Sequence, residues 1–237
     1  MPQYIYIIVG FVIIYAIIFI LYKNRTRKMQ DTFNNLDLLN EARNAKTHQL
    51  NYLDGSYSFI KEQLQSAPIT AFTVAKAQHT TGDEAKDVAK NLLKGAATLG
   101  TVRFRTVHTP KYLVLSGDSL HLLDTDKEGA VSAHLIFDRQ RLLNSSLTEV
   151  EKPGAAVRYQ KFGRYPLRAY KFSLNTDEKP IILDLYSAFM NVGEQNTATA
   201  AYKVQDMVPQ FVVGADFLNK LGQLYPNLRV PTDLPVV

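Results

Sequence analysis

The sequence predicts an α+β protein: an N-terminal transmembrane helix, membrane-proximal helices, and an antiparallel β-barrel or sandwich closed by a C-terminal helix. Three observations carry this. An uncharged apolar run occupies Tyr4 to Tyr22. Around Thr101 the apolar pattern changes from helical spacing to alternation. At Phe217 it changes back for one last helix. The expected division is an anchor with its basic flank over 1–28, a helical region over 29–100, the β domain with its helix over 101–230, and a tail over 231–237.

The apolar run YIYIIVGFVIIYAIIFILY has 19 residues. As a helix it spans about 28 Å, close to the ~30 Å hydrocarbon core of a bilayer. It is apolar all round, and Tyr4, Tyr6 and Tyr22 stand near its ends, where amphipathic rings favour the interface. A cleaved signal peptide needs basic residues before the apolar stretch and a small-x-small site after it, and neither is present. The basic cluster Lys23, Arg25, Arg27 and Lys28 follows the run instead. Basic flanks stay cytoplasmic, so the expected topology is single-pass in the cell (inner) membrane, N-terminus outside and C-terminal domain in the cytoplasm. The cluster can also touch anionic headgroups, at about 1 kcal/mol per basic residue. In that compartment the sequons at Asn24 and Asn144 are irrelevant.

From Met29 to Leu64 the spacing is helical. Met29, Leu36, Leu50, Tyr57 and Leu64 keep a seven-residue interval broken by Arg43; Leu39, Leu53 and Ile60 keep a second one broken by Lys46. Two readings follow: a homodimeric coiled coil through 29–64, or helices that pack on their own domain. Asp54-Gly55 divides the stretch in two. Ile69 to Gln78 is ambiguous between strand and helix. Thr81-Gly-Asp-Glu84 reads as a capping box for a helix to about Ala97.

Alternation then takes over. VRFRTV (102–107) and the hairpin KYLVLSGDSLHLLDTD (111–126) are followed by strand-like runs at His134–Leu143, Ala155–Tyr159, Leu167–Leu174, Pro180–Tyr186 and Thr197–Val204. Strand, turn, strand at this interval is an antiparallel meander. Phe217, Leu218, Leu221, Leu224 and Tyr225 form one apolar helix face, with Asp216 near its start and Pro226 at its stop. The tail VPTDLPVV, with two prolines in its last seven residues, is expected to be loose.

The hairpin Lys111–Asp126 and the closing helix GADFLNKLGQLYP resemble the pleckstrin-homology-like barrel over about Thr101 to Val230. The resemblance implies a closing helix that plugs one end of the barrel and loops at the other end that bind phospholipid headgroups or peptides. Bacterial members of that superfamily often occur in membrane-attached proteins. The hairpin tip SGDS carries no lipid-binding motif.

Composition narrows the chemistry. The absence of Cys excludes a disulfide, a thiolate metal site and a Cys nucleophile. Of 27 basic residues, four belong to the flank; the other 23 stand against 22 acidic ones, so nucleic acid is not the expected partner. The five His residues (48, 79, 108, 121 and 134) show no HExxH-like spacing, although His121 and His134 can meet across paired strands. There is no nucleophile elbow, Walker loop or dinucleotide fingerprint, and no catalytic residue or cofactor is assigned.

One stretch stands out: RYQKFGRYPLRAYK, Arg158 to Lys171, with five basic residues, four aromatics and no acid. Arg158, Lys161, Arg164 and Arg168, joined by Arg103, Arg105 and Lys111, form the candidate surface for anionic ligands. The alternative is a solvated face with its aromatics turned inward. The expected role is a non-enzymatic binding or scaffold module at the inner face of the membrane, contacting the lipid bilayer and either anionic headgroups or a protein partner. An enzyme built from dispersed residues and a membrane-tethered nucleic-acid binder are the competing classes.

Overall fold

The computed structural model describes residues 2–65, 67–77, 109–126, 128–153, 161–189 and 204–237. The helix expected after Thr81, the strands expected at 102–107 and Ala155–Tyr159, and residues Arg103, Arg105 and Arg158 lie outside them.

Helix α1 runs from Pro2 to Asn34 and passes unbroken through the basic flank. Nothing in that flank stops it. Thr26 and Thr32 donate their hydroxyls four residues back, to the carbonyls of Tyr22 (3.0 Å) and Lys28 (2.9 Å), so both side chains bond within the helix. From Val9 to Tyr22 no side chain of the helix is buried: Phe11 is 70% exposed and Tyr22 67%. The helix is long and apolar enough to cross a membrane. The Asp37 carboxylate then accepts the amides of Leu39 and Asn40, both at 3.1 Å, and caps α2, Leu38–Asp54. Gly55 ends α2, and α3 follows at Ser58–Leu64, so the division at Asp54-Gly55 is observed.

Of the two readings of 29–64, the packing fits the second. Leu53, Tyr57, Ile60 and Leu64 are buried with Phe72, Val74, Tyr112, Val114 and Leu123 of the sheet, while Leu39 and Leu50 stay exposed.

The ambiguous stretch 69–78 is strand β1, Ala71–Ala77, and it occupies the centre of the sheet. The sheet thus begins thirty residues before the expected start at 101. Both faces of β1 are covered, which removes the alternation that marks a half-exposed strand. Phe72 and Val74 face α2 and α3; Ala71 and Ala75 face the other side. Six more strands complete the sheet: β2 (Lys111–Ser116), β3 (Ser119–Thr125), β4 (Val131–Phe137), β5 (Ser146–Glu149), β8 (Ala169–Leu174) and β9 (Ile181–Tyr186). A separate short hairpin comprises β6 (Lys161–Phe162) and β7 (Tyr165–Pro166). The order is β4-β3-β2-β1-β9-β8-β5, with every neighbouring pair antiparallel. Among the described residues β4 and β5 are its edges, so the expected closed barrel is not formed.

Three further expectations are corrected, and a fourth lies almost wholly outside the described residues. The run His134–Leu143 is not one strand: the Asp138 carboxylate accepts the Arg141 amide at 2.9 Å and starts helix α4, Arg139–Leu143. The last expected strand, Thr197–Val204, has only Val204 among the described residues, and that residue opens a helix. That helix, α5, runs from Val204 to Leu224 and so starts well before Asp216; Pro209 and Gly214 read as breakers, yet both lie inside it. The tail is also held. The Tyr170 hydroxyl donates to the Pro231 carbonyl at 2.8 Å, Asn219 donates to the Leu234 carbonyl at 3.0 Å, and Leu234 is buried.

Four of the five residues expected on the face of the closing helix are buried, and the fifth, Leu224, is exposed. Phe217, Leu218, Leu221 and Tyr225 cover the sheet over Leu113, Leu115, Leu122, Phe172 and Leu183. The Tyr225 hydroxyl donates to the Asp118 carbonyl at the tip of the β2–β3 hairpin, which ties helix end to loop.

Candidate functional site

The junction between α1 and the domain is built from aromatic rings. Phe33, in the last turn of α1, is fully buried. It meets Phe162 at 5.7 Å and Tyr165 at 6.4 Å on the β6–β7 hairpin, and Phe211 on α5 at 5.8 Å, all edge-on. The hairpin turn presses directly on the Phe33 side chain. Gly163 has φ +60, and a Cβ there would lie 2.2 Å from the Phe33 Cβ, so only glycine satisfies both the backbone and the contact. Phe33 lies eleven helical steps beyond Tyr22, which sets the junction about 16 Å beyond the end of the apolar run.

This geometry sorts the candidate surface. Lys161 and Arg164 are exposed on the hairpin, while Phe162 and Tyr165 beside them are buried. The described aromatics of the basic run, Phe162, Tyr165 and Tyr170, turn inward, as the alternative reading of that run has it. Arg164 donates to the Tyr165 hydroxyl from Nε (2.9 Å) and from a terminal nitrogen (2.8 Å), which orients its guanidinium beside the turn. Lys23, Arg27 and Lys28 are exposed on α1, and Lys28 is about 7.5 Å up the helix axis from Phe33. Two basic groups of residues therefore flank one junction.

The remaining described members, Arg168 and Lys111, do not join them. Arg168 forms ion pairs with Glu149 at 3.2 Å and Asp233 at 3.7 Å, and these two carboxylates offset its charge. Despite partial burial, they hold its guanidinium pKa above the usual value. Lys111 pairs with Asp124 across β2 and β3, and β1 and β9 separate its strand from β8. The expected surface thus reduces, among the described residues, to Lys161 and Arg164 next to the basic flank of α1. Sequence reasoning missed Phe33 and Gly163. A lone Phe in DTFNNLD carries no local signal, because its importance comes from residues about 130 positions away.

Elsewhere the polar chemistry is sparse. Asp184 lies between Lys76 and Lys171 on neighbouring strands; burial raises its pKa, and the two lysines oppose that shift. Asp216 bonds Lys220 at 2.8 Å, and burial raises its pKa more than the lysine lowers it. A cavity of about 430 Å³ lies between the C-terminal half of α5 and the tail, bordered by Asn219, Gln223 and Arg229. No group of three or more metal-ligating side chains occurs among the described residues. No family model, curated protein or solved structure matches the chain.

Proposed function

We propose that the protein is a single-pass membrane protein whose cytoplasmic, pleckstrin-homology-like domain is a non-enzymatic binding or scaffold module, seated against anionic headgroups at the inner face. The observation that carries this is the unbroken α1. It joins an apolar stretch long enough to span a bilayer to a socket in the domain, and exposed basic side chains stand on the helix before that socket and on the hairpin that lines it. A rigid helix of this length leaves the hairpin within reach of headgroups. A flexible linker would not fix that distance.

The strand order supports the fold-level likeness. With the small β6–β7 hairpin set aside, four strands in one direction across the sheet are followed by three that return to the first, and a helix covers one face after the last strand. Among the described strands, SGDS joins β2 to β3. The SGDS tip is tied to Tyr225, so ligand binding is not assigned to it.

Two measurements test the reading. A reporter fused after Val237 that is active only outside the cytoplasm is expected to stay silent; activity overturns the orientation. A fragment of residues 29–237, which retains Phe33, is expected to sediment with vesicles containing anionic lipid. The double variant Lys161→Glu/Arg164→Glu should lose at least about 2 kcal/mol of that affinity, roughly 30-fold. Unchanged sedimentation of the double variant removes the headgroup contact from the proposal. Arg168→Glu should matter less at the vesicle surface, because Glu149 and Asp233 already occupy that guanidinium.

A further inference from the structure

We propose that His121 and His134 form an open binding site for one late first-row transition-metal cation of the Zn²⁺, Ni²⁺ or Cu²⁺ type, with water completing its coordination. The two rings come from adjacent antiparallel strands. His121 pairs with Ile136 and His134 with Leu123, so the two histidines are diagonal neighbours on one face. Their Nδ1 and Nε2 atoms converge to 2.8 Å, and the rings are tilted by 38° with centroids 5.1 Å apart.

That separation suits a shared cation. At the 2.0–2.1 Å length of a metal–imidazole bond, two nitrogens 2.8 Å apart subtend about 86° at the metal, close to the 90° of adjacent octahedral positions. Turning the rings apart by about half an ångström opens the angle to the tetrahedral value. Without metal, the same nitrogens share one hydrogen bond, so one ring must present an N–H and the other a lone pair. Binding moves that proton to the other nitrogen of the donating ring, a tautomer change that breaks no covalent framework bond.

Ligand type selects the cation. Imidazole suits Zn²⁺, Ni²⁺ and Cu²⁺, whereas Ca²⁺ and Mg²⁺ require oxygen ligands. The pair has no third His, Asp or Glu close enough to make a cluster among the described residues, so several coordination positions stay open to water or to a ligand. The location also permits access. β4 is an edge of the sheet, His121 and His134 are only part-buried, and Ile136 beside them is 53% exposed.

The test uses the full chain, purified metal-free in lipid nanodiscs and titrated separately with Zn²⁺, Ni²⁺, Cu²⁺ and Mg²⁺. One equivalent should bind, with Cu²⁺ tightest and no response to Mg²⁺. His121→Gln and His134→Gln should each weaken binding at least about 10-fold, since losing a ligand costs no less than losing its outer support. His48→Gln should leave binding unchanged, because that ring is held by Glu41 on α2. A second measurement needs no variant: in the wild-type chain Zn²⁺ should protect both rings together from diethylpyrocarbonate. No binding of any of the three transition metals overturns the site. So does an equivalent that survives in both variants, or modification of either ring under saturating Zn²⁺.

Discussion

Gly214→Ala should destabilise the domain by about 3 kcal/mol or more, the upper end of what overpacking costs. The reason is that α5 crosses the chain after β9 with no room for a side chain. A Cβ at position 214 would lie 2.4 Å from the Ala188 carbonyl carbon and 2.4 Å from the Phe189 nitrogen. Those are backbone atoms, which cannot rotate away as the end of a side chain can. The same crossing carries the 2.7 Å hydrogen bond from the Phe189 amide to the Gln210 carbonyl, so separating the segments also leaves a buried amide unpaired. Phe189 itself packs with Tyr52, Tyr57 and Phe72, so the disturbance reaches α2 and β1. Urea unfolding of wild type and variant measures the effect, and a loss below about 1 kcal/mol would show that the crossing relaxes cheaply.

Phe33→Ala should cost about 3–5 kcal/mol, the usual range for emptying a buried aromatic site. Three edge-on ring contacts disappear together. The void opens beneath Gly163, whose tight turn was shaped to the ring, so local collapse has little to draw on. The β6–β7 hairpin has only two residue pairs in its ladder and gains much of its order from this packing. Limited proteolysis at the hairpin and at 35–37 should therefore accelerate in the variant before global unfolding. Phe33→Leu, which refills most of the volume, should recover much of the loss. If Phe33→Ala unfolds at the wild-type urea concentration and resists protease equally, α1 is not anchored through this ring.

Legibility in the sequence followed the physical origin of each signal. The closing face Phe217, Leu218, Leu221 and Tyr225 was readable because it depends on local periodicity, as were the β2–β3 hairpin and the break at Asp54-Gly55. β1 was not readable as a strand, since burial on two faces erases the alternation that marks one. The early half of α5 was obscured by Pro209 and Gly214, whose penalties as isolated residues are outweighed by packing against the segment that holds Ala188 and Phe189. The tail looked loose by its prolines, yet a buried Leu234 and the hydroxyl of Tyr170 secure it. The basic run was conspicuous in composition. Its division into exposed Lys161 and Arg164 and a neutralised Arg168 depends on Glu149 and Asp233, which only the fold brings near.

The central position of β1 has a consequence for how the chain acquires its shape. β1 meets β9 through Lys76 opposite Asp184 and Ala77 opposite Leu183, partners roughly a hundred residues apart. A ribosome releases the β2–β3–β4 meander early, but that meander must wait with one side of β1 unpaired until β9 and then α5 emerge. Contacts of such long sequence separation slow folding and leave an open strand edge exposed meanwhile. The seam between β1 and β9 is therefore expected to close late in assembly.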